Sequence, residues 1–309
     1  MRKEEFYFDS RDGKSRIHAV KWIPDGEPGA IFQIVHGMAE YVERYEPFAE
    51  YLCERGYLVT GEDHLGHGKT AAINNAQKGY VCERHGDTVM VRDVHRLKKI
   101  MQGEFPGVPY FIMGHSMGSF MLRNYMYRYG TGINGAIVMG TGQPSRGVLR
   151  ISRAVCAVQG FVMGDDHVSG FINMVAFGSY NKRIPKARSR FDWITRDAGI
   201  LDEYVADPDC GFTFTVNGFK CLFKLLWKLT DDENVEQMPV ELPVLMLSGA
   251  EDPVGGYGIQ VSQVYESYVK LGMKDVKMQL YHDDRHELLN ELDRDQVYQD
   301  IFEWVEKHL

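Results

Sequence analysis

One stretch of this chain has residue types and spacing that could do covalent chemistry: Gly114-His115-Ser116-Met117-Gly118. A short apolar run, Tyr110-Phe111-Ile112-Met113, precedes it, and Phe120, Met121, Tyr125 and Met126 follow at helical spacing. That pattern predicts a strand, a sharp turn with Ser116 at its apex, and a helix. Gly114, His115 and Gly118 make the corner, the two glycines being small enough for backbone to pass close to backbone. A serine hydroxyl is a weak nucleophile at neutral pH. It needs a base within hydrogen-bond reach, a third group to hold that base in the right tautomer, and two backbone amides aimed at the developing oxyanion.

Reactive groups in a parallel sheet gather at the carboxyl ends of strands, so the loops that follow strands are the places to search. After Val244–Ser248 comes Gly249-Ala250-Glu251-Asp252-Pro253, and after Val276–Tyr281 comes His282-Asp283-Asp284-Arg285-His286-Glu287. The loop Thr141-Gly142-Gln143-Pro144 has no acid. Asp252 is the better orienting carboxylate, since Glu251 beside it points elsewhere in an extended segment and Asp283 and Asp284 sit too near the histidines in sequence. His286 is the better base, because it precedes a helix-like stretch and can sit above the sheet, whereas His282 ends the strand. His282 and His286 are four apart, but no third ligand follows at a zinc-protease spacing, so no metal is expected. Of the oxyanion amides, one should come from Met117 and the other from Met38 in His36-Gly37-Met38; His36 itself reads as a structural loop histidine.

The elements that must position these groups follow from periodicity. Residues 5–9 and 16–22 flank an Asp12-Gly13 turn and read as a hairpin. Strands are expected at Ala30–Val35, Tyr57–Thr60, Gly135–Gly140, Val244–Leu247 and Val276–Tyr281, with a loop over residues 62–68. Helices are expected after Met38, with Pro47 in the first turn, at 87–102 and at 295–308. Such alternation predicts an α/β fold with a mostly parallel central sheet covered by helices. From Thr141 to about Glu241 roughly a hundred residues pass without a clear buried strand, which reads as an inserted, mainly helical cap. The division expected is a core of 1–144 and 241–309 and a cap of 145–240. Within 148–162, Leu149, Ile151, Val155, Val158, Phe161 and Val162 are expected close to one side; Phe219–Leu229 is also apolar.

Composition narrows the class. The 309 residues are 44% hydrophobic and 25% charged, with a net charge of −8 and no basic stripe among the 35 Lys and Arg, which argues against nucleic acid. The opening ten residues have charges but no apolar core of a signal peptide, and no run is long enough to span a bilayer, so a cytoplasmic location is expected. Five scattered cysteines, without Cys-x-x-Cys, suggest reduced thiols rather than a disulfide framework.

With these pieces placed, the chain resembles α/β-hydrolases of the group containing monoacylglycerol lipases and bacterial lysophospholipases. The resemblance rests on His36-Gly37-Met38-Ala39-Glu40, Arg44-Tyr45, Asp63-His64-Leu65-Gly66-His67-Gly68, the Ser116 pentapeptide, Glu251-Asp252-Pro253 and His286-Glu287, in the family's order. Ala39 and Tyr41 stand where the family often has glycine and histidine, and Ser119 where a further glycine is common; these departures bear on the oxyanion loop and acyl pocket. The resemblance implies a cofactor-free serine esterase with Ser116, Asp252 and His286 as its triad, acting on monoacylglycerols, lysophospholipids or related acyl esters. From the cap residues, among them Arg146, Arg150 and Arg153, transient contact of the cap with a membrane surface is a further expectation. Alternative readings are an aminopeptidase of the same fold, using cap acids such as Glu203 or Asp207 to hold an ammonium group, an acyltransferase, and a non-catalytic small-molecule receptor.

Overall fold

The structure, a computed structural model, describes residues 1–309. Eight strands form one sheet: β1 (Arg2–Asp9), β2 (Arg16–Ile23), β3 (Ala30–Val35), β4 (Tyr57–Glu62), β5 (Tyr110–His115), β6 (Gly135–Met139), β7 (Val244–Gly249) and β8 (Val276–Tyr281). Their spatial order is β1-β2-β4-β3-β5-β6-β7-β8. The β1–β2 and β2–β4 pairs are antiparallel, and every pair from β4 to β8 is parallel. Every residue of β3, β4, β5, β6 and β7 is buried, as expected of strands covered on both faces. Edge strand β8 instead alternates, with a half-exposed pattern.

The helices are α1 (Glu46–Cys53), α2 (Gly68–Ile73), α3 (Gly86–Glu104), α4 (Met117–Tyr129), α5 (Arg146–Met163), α6 (Gly170–Phe177), α7 (Ala198–Ala206), α8 (Val216–Lys228), α9 (Asp232–Val235), α10 (Ile259–Leu271) and α11 (Arg294–Glu306). The two-residue alternation of strand side chains sorts the core. Ile31, Ile112, Val138 and Met246 point to the face covered by α3, α4 and α10. Phe32, Phe111, Ile137 and Leu247 point to the face covered by α1 and α11. No helix is long and apolar enough to cross a membrane.

The interval between β6 and β7 contains α5 to α9 and no strand of the sheet. Helix α8 ties it down: Val216, Phe219, Leu222 and Leu225 are buried in the same cluster as α3 and α4, and the Asn124 amide donates to the Leu225 carbonyl at 3.1 Å. Two expectations need correction. The segment 62–68 is not all loop, since Glu62 ends β4 and Gly68 begins α2, a helix too short to have a periodic signature. On α5, Leu149 does not share a side with the other five apolar residues. At about 100° per residue Ile151 lies about 200° round from it, and Leu149 is buried while Ile151, Val158, Phe161 and Val162 are exposed.

Helix α3 also anchors the opening hairpin through a buried acid. Asp93 accepts from the Ser10 hydroxyl at 2.7 Å and from the Arg11 amide at 2.6 Å, and burial pushes its carboxyl up to about 7. An unfolded aspartate titrates near ~3.9. Between those values the folded chain holds a proton that the unfolded chain has released, so stability falls as pH rises from about 4 to about 7. Asp93→Asn, which keeps the shape without the charge, should match the wild type near pH 4 and exceed it by on the order of a few kcal/mol at pH 8. Urea unfolding of both proteins at the two pH values checks this.

Candidate active site

Strand β5 passes into α4 through a single residue. Ser116 has φ 53° and ψ −120°, a left-handed backbone that costs a non-glycine residue on the order of 1–3 kcal/mol. Its surroundings hold it there: the Ser116 amide donates to the Met139 carbonyl at 3.0 Å, and its own carbonyl accepts from the Ser119 hydroxyl at 2.6 Å. The flanking glycines are steric requirements. A Cβ on Gly114 would lie 2.3 Å from the Gly118 carbonyl oxygen, and one on Gly118 would lie 2.0 Å from that of Val35. Helix α4 is thereby pressed against the end of β3. Met117, its first residue, has no protein acceptor for its amide, as the first turn of a helix requires.

The loop leaving β3 is held by histidines in fixed neutral tautomers. His36 Nε2 accepts from the His64 amide at 3.0 Å while Nδ1–H donates to the Gly37 carbonyl at 2.8 Å. His67 Nε2 accepts from the Ala39 amide at 3.3 Å and Nδ1–H donates to the Leu65 carbonyl at 3.0 Å. Burial pulls His36 down to about 3 and His67 down to about 4, so both are uncharged at neutral pH. His36 is therefore fully engaged in holding the loop. The Gly37 amide donates to Glu40 Oε1 at 2.6 Å and the Ala39 amide to His67, which leaves Met38 between them with an amide that has no protein acceptor. Ala39 has φ 54°, a left-handed position.

His286 Nδ1–H donates to Asp252 Oδ2 at 2.9 Å, and both side chains are buried. Asp252 Oδ1 accepts from the Val254 amide at 2.8 Å, which fixes the carboxylate. The two loops are packed closely enough that a Cβ on Gly249 would lie 2.1 Å from the Asp284 carbonyl oxygen. His286 Nε2 has no protein partner. It does not bond Ser116 directly, a looseness common in sites without substrate. The other residues weighed in these loops lie elsewhere: His282 is 92% exposed, Glu251 is exposed, and Asp283 meets only His282. Asp284 is buried against Arg196. The carboxylates of Asp284, Glu291 and Asp293 lie within 4.8 Å of one another, and the Arg196 guanidinium bonds all three.

Ser116, His286, Met38 and Met117 all line one cavity of about 520 Å³. Of its 37 lining residues 23 are hydrophobic, and Ser116, His115, His286 and Glu40 lie together at a polar end of it. The interval between β6 and β7 supplies most of the wall, including Leu149 and Val155 from α5, Ile172 and Val175 from α6, and Leu222 and Phe223 from α8. Two carboxylates, Glu40 and Glu287, also reach this end. Arg44 bonds both, with distances of 2.7–2.9 Å. Trp193, whose ring centroid is 5.0 Å from that of His286, and Tyr180, 4.9 Å from Trp193, were not found in the sequence. They belong to an irregular segment with no periodicity to mark a buried face.

The family model described as "Serine aminopeptidase, S33" matches residues 26–293. The chain is 26% identical to a monoacylglycerol lipase of Mycolicibacterium smegmatis over 302 residues, 96% of this chain and 95% of that protein. It is 39% identical to human monoglyceride lipase over 97 residues, 31% of this chain and 30% of that protein. A carboxyl esterase from Bacillus coagulans, solved in complex with glycerol, superposes with a TM-score of 0.92 at 30% identity, covering 100% of this chain and 99% of that one.

The steric reading of the corner makes opposite predictions at two positions. Gly118→Ala should destabilise the fold by about 3 kcal/mol or more, because the obstructing atoms are backbone and cannot rotate away. Ala39→Gly, which removes a Cβ from a left-handed residue, should leave the melting temperature equal or higher, since the αL penalty of about 1–2 kcal/mol matches or exceeds the entropy cost of glycine. Calorimetry on the two variants tests both signs.

Proposed function

We propose, on the premise that this chain belongs to the α/β-hydrolase family described as serine aminopeptidase, S33 and is a hydrolase of the monoacylglycerol lipase group, that Ser116, His286 and Asp252 hydrolyse carboxylic esters through an acyl-enzyme. The observation that carries this reading is the His286–Asp252 bond at 2.9 Å, with His286 Nε2 unpartnered beside the cavity that Ser116 lines. In this mechanism Ser116 Oγ attacks the ester carbonyl carbon while His286 Nε2 takes its proton. The charge on the carbonyl oxygen falls to the Met38 and Met117 amides, and one such donor is worth about 10²–10³ in rate. His286 returns the proton to the departing alcohol, and Asp252 stabilises the imidazolium between the two transfers. Water, deprotonated by His286, then releases the acid and restores Ser116.

The substrate proposed is a long-chain monoacylglycerol or lysolipid, its acyl chain lying along the apolar wall of a cap comprising residues 145–240 over a core of 1–144 and 241–309. The charge distribution favours an ester over an aminoacyl amide. An ammonium group would need a free carboxylate in the cavity, but Glu40 and Glu287 are both already paired with Arg44. Neither Glu203 nor Asp207 lines the cavity; Glu203 is exposed, and Asp207 accepts from the Tyr41 hydroxyl at 2.7 Å. A lipid substrate must also be collected from an interface. The cap exposes Ile151, Val158, Phe161 and Val162 on α5 and Phe171 and Met174 on α6, with Phe161 92% exposed. Arg146 and Arg153 lie on the same helix, over the Trp227 ring. That composition suits transient contact with an anionic lipid surface.

Purified protein should hydrolyse long-chain monoacylglycerols or lysophospholipids in preference to short esters and aminoacyl amides. Ser116→Ala should lower kcat by about 10⁴–10⁶-fold. A fluorophosphonate should label Ser116, and His286→Ala should abolish labelling. Activity confined to short esters or aminoacyl amides would overturn the substrate assignment, acyl transfer to an added alcohol outrunning hydrolysis would make the protein a transferase, and no labelling would favour a receptor. Phe161→Glu should weaken co-sedimentation with vesicles containing anionic phospholipid while leaving the rate on a soluble short-chain ester unchanged.

A further inference from the structure

His115 ends β5 immediately before the serine and is 4% exposed. Both of its ring nitrogens face oxygens. Nδ1 lies 3.3 Å from Glu40 Oε1 and 3.0 Å from the Tyr45 hydroxyl, whose own proton goes to Glu40 Oε1 at 2.9 Å. The tyrosine oxygen is thus left as an acceptor toward His115. Nε2 lies 3.2 Å from the main-chain carbonyl of His286, an oxygen that can only accept. A neutral imidazole has one N–H: with Nε2 donating to the His286 carbonyl, its bare Nδ1 would face the Glu40 carboxylate and could be met only by the Tyr45 proton, which Glu40 would then lose.

We infer that His115 is held as an imidazolium in the folded protein at neutral pH and that, within the mechanism proposed above, it positions the oxyanion loop and the base together. Charge balance supports this. The groups facing the ring are Glu40 from the loop after β3, Arg44 and Tyr45 from the turn before α1, and His286 and Glu287 from the loop after β8. With His115 charged, two cations (His115, Arg44) meet two anions (Glu40, Glu287); with His115 neutral, this buried cluster keeps a net negative charge, which a low-dielectric interior penalises. Burial opposes a charged ring, but the Glu40 carboxylate outweighs it and holds His115 above the usual histidine range, while His115 and Arg44 hold Glu40 well below the usual carboxylate range despite its own burial.

The positional consequence runs through two atoms. Glu40 Oε1, anchored by His115 and Tyr45, also receives the Gly37 amide and so fixes the loop that presents the Met38 N–H. The His286 carbonyl, anchored by Nε2–H, sets the backbone from which the His286 ring projects, and the two imidazoles lie with centroids 4.7 Å apart. One cation thereby ties the β3–α1 connection and the loop after β8 to the serine corner.

The test combines a direct readout with kinetics. In protein labelled with ¹⁵N-histidine, both ring nitrogens of His115, assigned by their loss in His115→Gln, should carry protons at pH 7.5; one unprotonated ring nitrogen at that pH overturns the proposal. His115→Gln should lower kcat by about 10–100-fold, the scale of small misplacements in a site, with KM changed less than about two-fold and fluorophosphonate labelling slowed in parallel. A wild-type kcat in a folded His115→Gln protein would also overturn it. Should that variant fail to fold, Glu40→Gln serves instead. Removing the counter-charge lets His115 lose its proton in the neutral range, so the rate of Glu40→Gln should fall as pH rises from 6 to 8; a rate that stays flat over that interval overturns the positioning role. If Ser116 cannot be labelled in the wild type, the esterase reading fails, while the ring protonation is still decided by the spectrum.

Discussion

The approach of Gly118 to the Val35 carbonyl is the contact on which the site depends. Nothing larger than a hydrogen fits between the first turn of α4 and the end of β3, so the two chain segments meet backbone to backbone. That approach sets the α4 N-terminus beside the loop leaving β3 and brings the Met117 and Met38 amides to one end of the same cavity. It also forces the strained backbone of Ser116, because a strand that turns into a helix within one residue has no other way to change direction. The strain of that residue is offset by bonds from Met139 and Ser119 and by the buried cluster on either side of the corner.

Around this corner the protein uses two kinds of polar group for separate tasks. His36 and His67 are neutral and act as shaped spacers, each with one nitrogen accepting from backbone and the other donating to it. Burial keeps them uncharged, which lets them hold loop geometry across the neutral range without adding a field at the site. The second group, Glu40, Arg44, His115 and Glu287, is ionic and nearly as buried. Its value lies in crossing between loops: Arg44 alone bridges the segment after β3 to the segment after β8. Removing any one partner strands the others in a medium that solvates charge poorly.

How much of this was legible in the sequence depended on how uniform each environment is. Strands β3, β5, β6 and β7 read correctly because residues buried on both faces leave a mainly apolar run, broken in β3 only by the buried Gln33. Asp252 and His286 were chosen by their place after strands, and the structure brings them into contact, since parallel strands must deliver their carboxyl ends to one edge. The departure at Ala39 was noticed in the sequence, but only the structure gives its physical content, a left-handed residue carrying a Cβ. Helix α5 misled because its apolar residues serve two surroundings at once. Leu149 packs inward while Phe161 and Val162 face solvent, and hydrophobicity alone does not distinguish the two. Trp193 and Tyr180 were invisible for the opposite reason, being single aromatic residues in an irregular segment whose path is set by tertiary contacts.

Those same contacts bind one side of the interval between β6 and β7 to the loop carrying His286, while the other side packs on α8 instead. The segment around Trp193 is bound to the loop carrying His286: the Glu287 amide donates to the Ile194 carbonyl at 2.7 Å, and Arg285 donates to the Asp192 and Thr195 carbonyls at 2.7 and 2.9 Å. Arg196 adds bonds to Glu291 and Asp293. Displacing this side would drag His286 with it and leave buried carboxylates unpaired. Helices α5 and α6 bear no such ties to the loops carrying Asp252 and His286, and their exposed apolar residues lie next to the cavity wall formed by Ile151 and Val175. None of the bonds that orient His286 passes through α5 or α6, so the apolar wall they form and the wall that holds His286 are built from different parts of the interval between β6 and β7.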